Sequence, residues 1–188
     1  MSDNSSVHAS AVLVGERAVL IRGPSGAGKS RLAFDLILAG RTGQLPPAIL
    51  VGDDRVHLDT AGEQLWVRPA RQLAGLIEIR GLGIRHCPFA AEAVVGLVVD
   101  LAADDAERLP PPEALTVHLN GVLVPRIPVA FGFQPLPLVV AALTTTESSC
   151  SRNLADNCEK GIGNHITSTI APDLGGAASP LYRQDQGD

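Results

Sequence analysis

Apolar positions in the first three quarters of the chain fall in short runs broken by polar turns, a pattern that predicts many strands and few helices. Residues 9–14 and 17–22 are two β-rich runs, and Gly15-Glu16 between them predicts a tight hairpin. The second run enters a glycine-rich segment. Beyond it Leu32, Ala33, Leu36 and Ile37 recur at helical spacing, with Gly40 as a stop signal. Residues 43–47 read as a loop, and 48–51 as a buried strand that ends in Gly52-Asp53-Asp54. Residues 56–58 and 65–67 predict a further hairpin. The nearly continuous apolar run 93–101 has the pattern of a strand buried on both faces. Acidic and Pro-rich 102–112 reads as surface loop. Leu115, Val117 and Leu119 alternate with polar residues up to Asn120-Gly121, a strong hairpin signal, and apolar 136–143 predicts a helix. No internal repeat is visible.

Composition sets limits on this picture. The 188 residues suit one domain, and 45% apolar content is enough for a real core. Only 3% of residues are aromatic, so Leu, Val, Ile and Ala must build that core. From Thr144 the chain becomes rich in Ser, Thr, Asn, Asp and Gly, which predicts a domain over 1–143 and a polar, disordered tail over 144–188. A net charge of -5 argues against a nucleic-acid partner, which would demand a basic surface. Cys87, Cys150 and Cys158 have neither metal-ligand nor CxxC spacing. The polar opening residues carry no signal peptide, and no apolar run reaches the ~18 residues of a membrane span. The expectation is a cytoplasmic protein with reduced thiols, away from membranes.

The strongest chemical signal is Gly23, Pro24, Ser25, Gly26, Ala27, Gly28, Lys29 and Ser30, a full match to G-x-x-x-x-G-K-[ST]. Glycines let the backbone wrap a phosphate with successive N–H groups pointing inward, and the following helix presents its positive end to the same anion. Lys29 can reach the outer phosphates, and the Ser30 hydroxyl can ligate Mg²⁺. A strand precedes the loop and a helix follows it, which is the context the motif requires.

Other candidates are less specific. Asp53 and Asp54 end a strand, where ligands bind in open α/β sheets, and a carboxylate there can hold a metal or accept a proton. A solvated turn explains them equally well. Strand alternation turns the two side chains apart, with Asp53 expected toward a bound phosphate. Within residues 74–84, Glu78 and Arg80 interrupt apolar Leu76, Ile77 and Ile79, either as functional groups or as an exposed face with an ion pair. His8 on its own reads as solvated, and His57, His86 and His118 have no metal-like companions.

Together these residues resemble the catalytic domain of HPr kinase/phosphorylase over about residues 8–129. The resemblance rests on His8-Ala9, the P-loop, Leu50-Val51-Gly52-Asp53-Asp54, and Leu76-Ile77-Glu78-Ile79-Arg80-Gly81-Leu82-Gly83-Ile84. The last block is far more specific than the P-loop. The likeness implies an α/β, P-loop kinase-like domain with a mixed β-sheet and flanking helices. It implies phosphorylation of a serine of an HPr-type phosphocarrier with ATP or pyrophosphate, and the reverse phosphorolysis of phosphoserine to release pyrophosphate. By resemblance Asp53 is the general base, Ser30 and Glu78 share Mg²⁺, Arg80 stabilises the transferred group, and His8 lines the site. It also implies a hexamer, and a short form similar to alphaproteobacterial members. Arg31 and Gly52 depart from the family pattern, and residues 127–133 stand where the family has a basic Pro-Val-Arg-Pro-Gly-Arg-Asn-Leu-Ala stretch. Two other functions remain: a nucleotide-sensing module without turnover, and a small-molecule P-loop kinase. The latter needs an arginine-rich lid that residues 88–124 do not supply.

Overall fold

Ten strands and two α-helices frame the computed structural model, which describes residues 6–146, with short 3-10 turns at Arg71–Leu73 and Pro112–Leu115. In chain order they are β1 (Ser10–Val14), β2 (Arg17–Arg22), α1 (Lys29–Arg41), β3 (Ala48–Gly52), β4 (Val56–Ala61), β5 (Gln64–Pro69), β6 (Leu76–Ile79), β7 (Gly83–His86), β8 (Ala93–Leu101), β9 (Thr116–Leu119), β10 (Val122–Val129) and α2 (Pro135–Thr144). Eight strands form one mixed sheet with the path β3-β1-β2-β8-β10-β9, to which β5 attaches at β8 and β4 at β5. The pairs β2–β8 and β8–β10 are parallel. The hairpins β1–β2 and β9–β10 are antiparallel, as is β1–β3. Strands β6 and β7 form a separate antiparallel pair.

Period-two alternation explains the two core layers. Val12 and Val14 of β1 and Val19 and Ile21 of β2 bury one face, where Leu32, Ala33, Leu36 and Ile37 of α1 and Val139 of α2 cover them. Ala11, Ala18 and Leu20 bury the other face against Val56, Leu65 and Val67 of the β4–β5 hairpin. Both described helices therefore flank the same side. Strand β8 serves both layers through a bulge. Its pairing with β2 passes from Ala18↔Val95 to Val19↔Leu97, leaving Gly96 as the extra residue. Glycine is required there because a Cβ would lie 2.7 Å from Arg17 Cβ.

The mixed sheet, the predicted hairpins and both helices match the expected α/β architecture. Three local readings differ. Strand β1 starts at Ser10, one residue later than read from the pattern. Helix α1 passes through Gly40 to Arg41, with Thr42 as its cap and Gly43 at φ 76 beyond it. Gly40 marks a close approach instead of a stop: a Cβ would lie 2.7 Å from both Cβ and N of Ala48 on β3. Residues 74–84 are the first arm and turn of the β6–β7 hairpin, whose turn is closed by Leu82 N–H donating to the Ile79 carbonyl at 2.9 Å. The expected disordered tail lies outside the described residues from position 147 onward, and Thr144 itself closes α2. No described helix is long and apolar enough to cross a membrane.

Gly40 sets two effects against each other. Alanine improves helix propensity by ~1 kcal/mol, whereas overpacking costs ~1–3 kcal/mol. Because the close atoms include backbone, Gly40→Ala is expected to lower the urea midpoint of unfolding. A raised midpoint would contradict the close helix–strand contact.

Candidate active site

Three parallel strands, β2, β8 and β10, send their C-terminal ends to one edge of the sheet, the edge at which such sheets bind ligands. From β2 the chain turns into the P-loop. Gly23, Gly26 and Gly28 take φ of 143, 80 and 97, a left-handed backbone that side chains strain. At Gly23 the space is closed as well: a Cβ would lie 2.8 Å from the Leu101 carbonyl oxygen. Helix α1 begins at Lys29 with no side-chain cap and no acidic residue in its first turn. Its first N–H groups are thus left for an anion. The Lys29 ammonium folds over the loop and donates to the carbonyls of Gly23 and Pro24, each at 3.0 Å. Burial lowers its pKa, opposed by the carboxylates of Asp53 and Asp54.

Strand β3 brings those carboxylates to the same place by different routes. Asp53 is only 3% exposed. Its Oδ1 accepts a hydrogen bond from the Ser10 hydroxyl at 2.5 Å, and its Oδ2 accepts one from the Glu78 backbone N–H at 3.1 Å. Asp54 takes φ 66, which swings its side chain outward to 65% exposure, 3.3 Å from Nε2 of His8. The side chains diverge, but the open cleft is on the side of Asp54. Asp53 sits beneath it, the reverse of the orientation expected from alternation alone, because the left-handed turn redirects the chain after the strand.

The cleft is a cavity of about 930 Å³. Ser25, Gly26, Ala27, Gly28, Lys29 and Ser30 form its base, and His8, Asp54, Glu78 and Arg80 face them. Asp53, Gly23 and Pro24 are not on its surface. Glu78 and Arg80 reach it because the Asp53 carboxylate ties β6 to the end of β3. Neither has an ion-pair partner among the described residues, so the exposed-ion-pair reading of this block fails. No cluster of three or more His, Cys, Asp or Glu suited to a metal occurs among the described residues.

The model of the HPr Serine kinase C-terminal domain matches residues 1–147. The chain belongs to this family. It is 36% identical over 156 residues to the HPr kinase/phosphorylase of Streptococcus pneumoniae (strain Hungary19A-6), covering 76% of this chain and 48% of that protein. It is 41% identical over 85 residues to the HPr kinase/phosphorylase of Streptococcus thermophilus (strain CNRZ 1066), covering 45% of this chain and 25% of that protein. The chain thus spans at most about half the length of these curated relatives. The structure of the Hpr(Ser) kinase/phosphatase from Coxiella burnetii superposes with a TM-score of 0.59 at 27% identity, over 82% of this chain and 99% of that one.

This HPr kinase family domain has a second constellation that the sequence pattern did not reveal. Arg22, immediately before the P-loop, donates from Nε and Nη2 to the two carboxylate oxygens of Asp100 at 2.7 and 2.6 Å. Arg126 of β10 donates to Asp100 Oδ2 at 2.6 Å, and to Asp105 at 2.6 and 2.9 Å. Asp100 lies one residue before the end of β8, beside the P-loop strand, a place from which carboxylates hold magnesium in P-loop enzymes. Here both its oxygens are committed to arginines. Burial alone would raise the Asp100 carboxyl, but the Arg22 and Arg126 hydrogen bonds outweigh it and hold the pKa below the ordinary value. Ser10, Arg22, Asp100 and Arg126 were missed because each contact spans many residues, and alternation shows only that a polar residue points somewhere.

The lowered Asp100 pKa links stability to pH. Its contribution is complete above the unfolded value near ~4 and is lost as pH falls through the lower folded value. Asp100→Asn should lower the urea midpoint at pH 7 and remove this part of the acid-induced loss below about pH 4. Removing one partner of such partly buried, charge-assisted hydrogen bonds costs ~1–3 kcal/mol. Unchanged stability at pH 7 would mean that the network carries no net energy.

Proposed function

We propose that this chain is an ATP-dependent protein-serine kinase acting on an HPr-type phosphocarrier, and that it also phosphorolyses phosphoserine to release pyrophosphate. The observation that carries this reading is the convergence, in one cavity, of the P-loop backbone and Lys29 with Asp54, Glu78 and Arg80, beside the buried Asp53 carboxylate that the Glu78 N–H engages. Family membership supports the choice of a protein serine as acceptor. Under this reading residues 1–143 are the catalytic unit and 144–188 an accessory tail. Cytoplasmic location and assembly into a hexamer belong to the same proposal.

The chemistry follows from the residues in place. Backbone N–H groups of the P-loop and the α1 N-terminus hold the β- and γ-phosphates. Lys29 exchanges its two carbonyl acceptors for a phosphate oxygen. The acceptor serine hydroxyl gives its proton to Asp53 as its oxygen attacks the γ-phosphorus, and the bond to the β–γ bridging oxygen breaks to leave ADP. Arg80 offsets charge on the transferred group. In reverse, a phosphate oxygen attacks phosphoserine, Asp53 returns the proton to the departing serine oxygen, and pyrophosphate leaves. Ser30 and Glu78 present the all-oxygen donor set that Mg²⁺ prefers, and two protein ligands suffice because phosphates and water complete its shell. When bound, Mg²⁺ draws charge from the β- and γ-phosphate oxygens.

The direct test is incubation with labelled ATP, Mg²⁺ and an HPr-type protein, followed by assay for phosphoserine. Tight ATP binding without transfer would favour the sensing module. Asp53→Asn should keep ATP binding and lose about 10²–10⁴-fold in turnover, with Asp54→Asn costing less. A larger loss for Asp54→Asn would move the proton-accepting role to the carboxylate on the cavity surface. Glu78→Gln should raise the Mg²⁺ concentration needed for half-maximal activity by about tenfold, with the circular dichroism spectrum unchanged. An unaltered Mg²⁺ requirement would remove Glu78 from the metal site.

A further inference from the structure

The chain has four phenylalanines, one tryptophan and one tyrosine, and two of the phenylalanines stand at one spot in the open. Phe131 is 89% exposed and Phe133 71%, the two most exposed large apolar side chains among the described residues. They lie in the turn between β10 and α2, which Phe133 N–H closes on the Ala130 carbonyl at 3.2 Å. Gly132 at the third position has φ 83, as a type II turn requires. The rings are therefore presented by a short hydrogen-bonded turn.

Position gives this exposure a purpose. Strand β10 runs parallel to β8, and β8 parallel to β2, so the turn after β10 leaves the same sheet edge as the P-loop. Phe131 and Phe133 line the same cavity as Gly26 to Ser30, and Phe34 and Ala102 add further apolar wall. The cavity, about 930 Å³, is far larger than a chain of phosphates needs and falls within the roughly 300–1,000 Å³ of sites for whole small molecules. One end is thus built for phosphates and another for something flat and apolar.

We propose that Phe131 and Phe133 form a platform for the nucleobase of a nucleotide whose phosphates occupy the P-loop. The inference rests on the reading of that loop as a phosphate site and adds the choice of donor. Aromatic faces stack on bases with little regard to sequence, whereas inorganic polyphosphates offer nothing to stack. The P-loop recognises what ATP and pyrophosphate share, and the phenylalanines recognise what only ATP has. The chain is accordingly selective for a nucleoside triphosphate over pyrophosphate as phosphoryl donor.

The test compares ATP with inorganic tripolyphosphate by calorimetry in Mg²⁺, on the full chain and on the double variant Phe131→Ala with Phe133→Ala. The wild type should bind ATP more tightly. The double variant should lose about tenfold in ATP affinity, with tripolyphosphate affinity unchanged. Both side chains are exposed, so folding should persist, and Phe131→Tyr with Phe133→Tyr should keep most of the ATP preference. Equal binding of the two ligands by the wild type would overturn the inference and leave the phosphate site standing. So would an unchanged ATP affinity in the double variant. Failure of the wild type to bind either ligand would overturn both.

Discussion

The carboxylate of Asp100 fixes the strand that launches the P-loop. A phosphate cradle made of backbone N–H groups works only if the backbone cannot drift, and glycine-rich segments drift easily. Arg22 stands one residue before Gly23 and is held on both Asp100 oxygens, and Arg126 holds Asp100 from the far side. Three parallel strand ends, β2, β8 and β10, are thereby locked at one level. Arg126 also reaches Asp105 and the Ala114 carbonyl, so the loop after β8 is tied to the same point. The close passage of Gly23 under the Leu101 carbonyl depends on this alignment.

A second tie sets the opposite wall. Asp53 links the start of β1, through Ser10, to β6 within the family-specific block, through the Glu78 N–H. The small β6–β7 pair lies outside the main sheet and is anchored to the core by Ile77, and the Asp53 tie adds the fixed point that holds the Glu78 backbone beside the end of β3. A buried carboxylate is costly unless hydrogen-bonded. Here that need fixes geometry, because the two donors come from segments that must face each other. The same carboxylate stands close enough to Lys29 to oppose the lowering of its pKa. Structure and proposed chemistry therefore share one group.

Much of this was readable from local pattern. Alternation and turn residues are short-range signals, and they gave the β1–β2, β4–β5 and β9–β10 hairpins, the helices and the long β8. The P-loop was legible because its mechanism resides in contiguous residues. The two-faced burial of β8 was visible, but the bulge at Gly96 was not, since it depends on Arg17 lying against it. Gly40 misled for a related reason: propensity makes a glycine a stop, while the tight contact with Ala48 makes it a spacer. Asp54 was expected to turn away, and only the positive φ at the strand end shows which carboxylate meets the cavity. Ser10, Arg22, Asp100 and Arg126 carry their meaning entirely in long-range pairing.

The proposed function depends on where the triphosphate and the metal sit. The decisive measurement is a crystal structure of the full chain with Mg²⁺ and a non-hydrolysable ATP analogue. The β- and γ-phosphates are expected on the N–H groups of the P-loop and on Lys29, and Mg²⁺ on Ser30 and Glu78, directly or through one water. Asp100 is expected to remain engaged by Arg22 and Arg126. Triphosphate bound outside the loop, or Mg²⁺ taken by Asp100 with its arginines displaced, would contradict this arrangement.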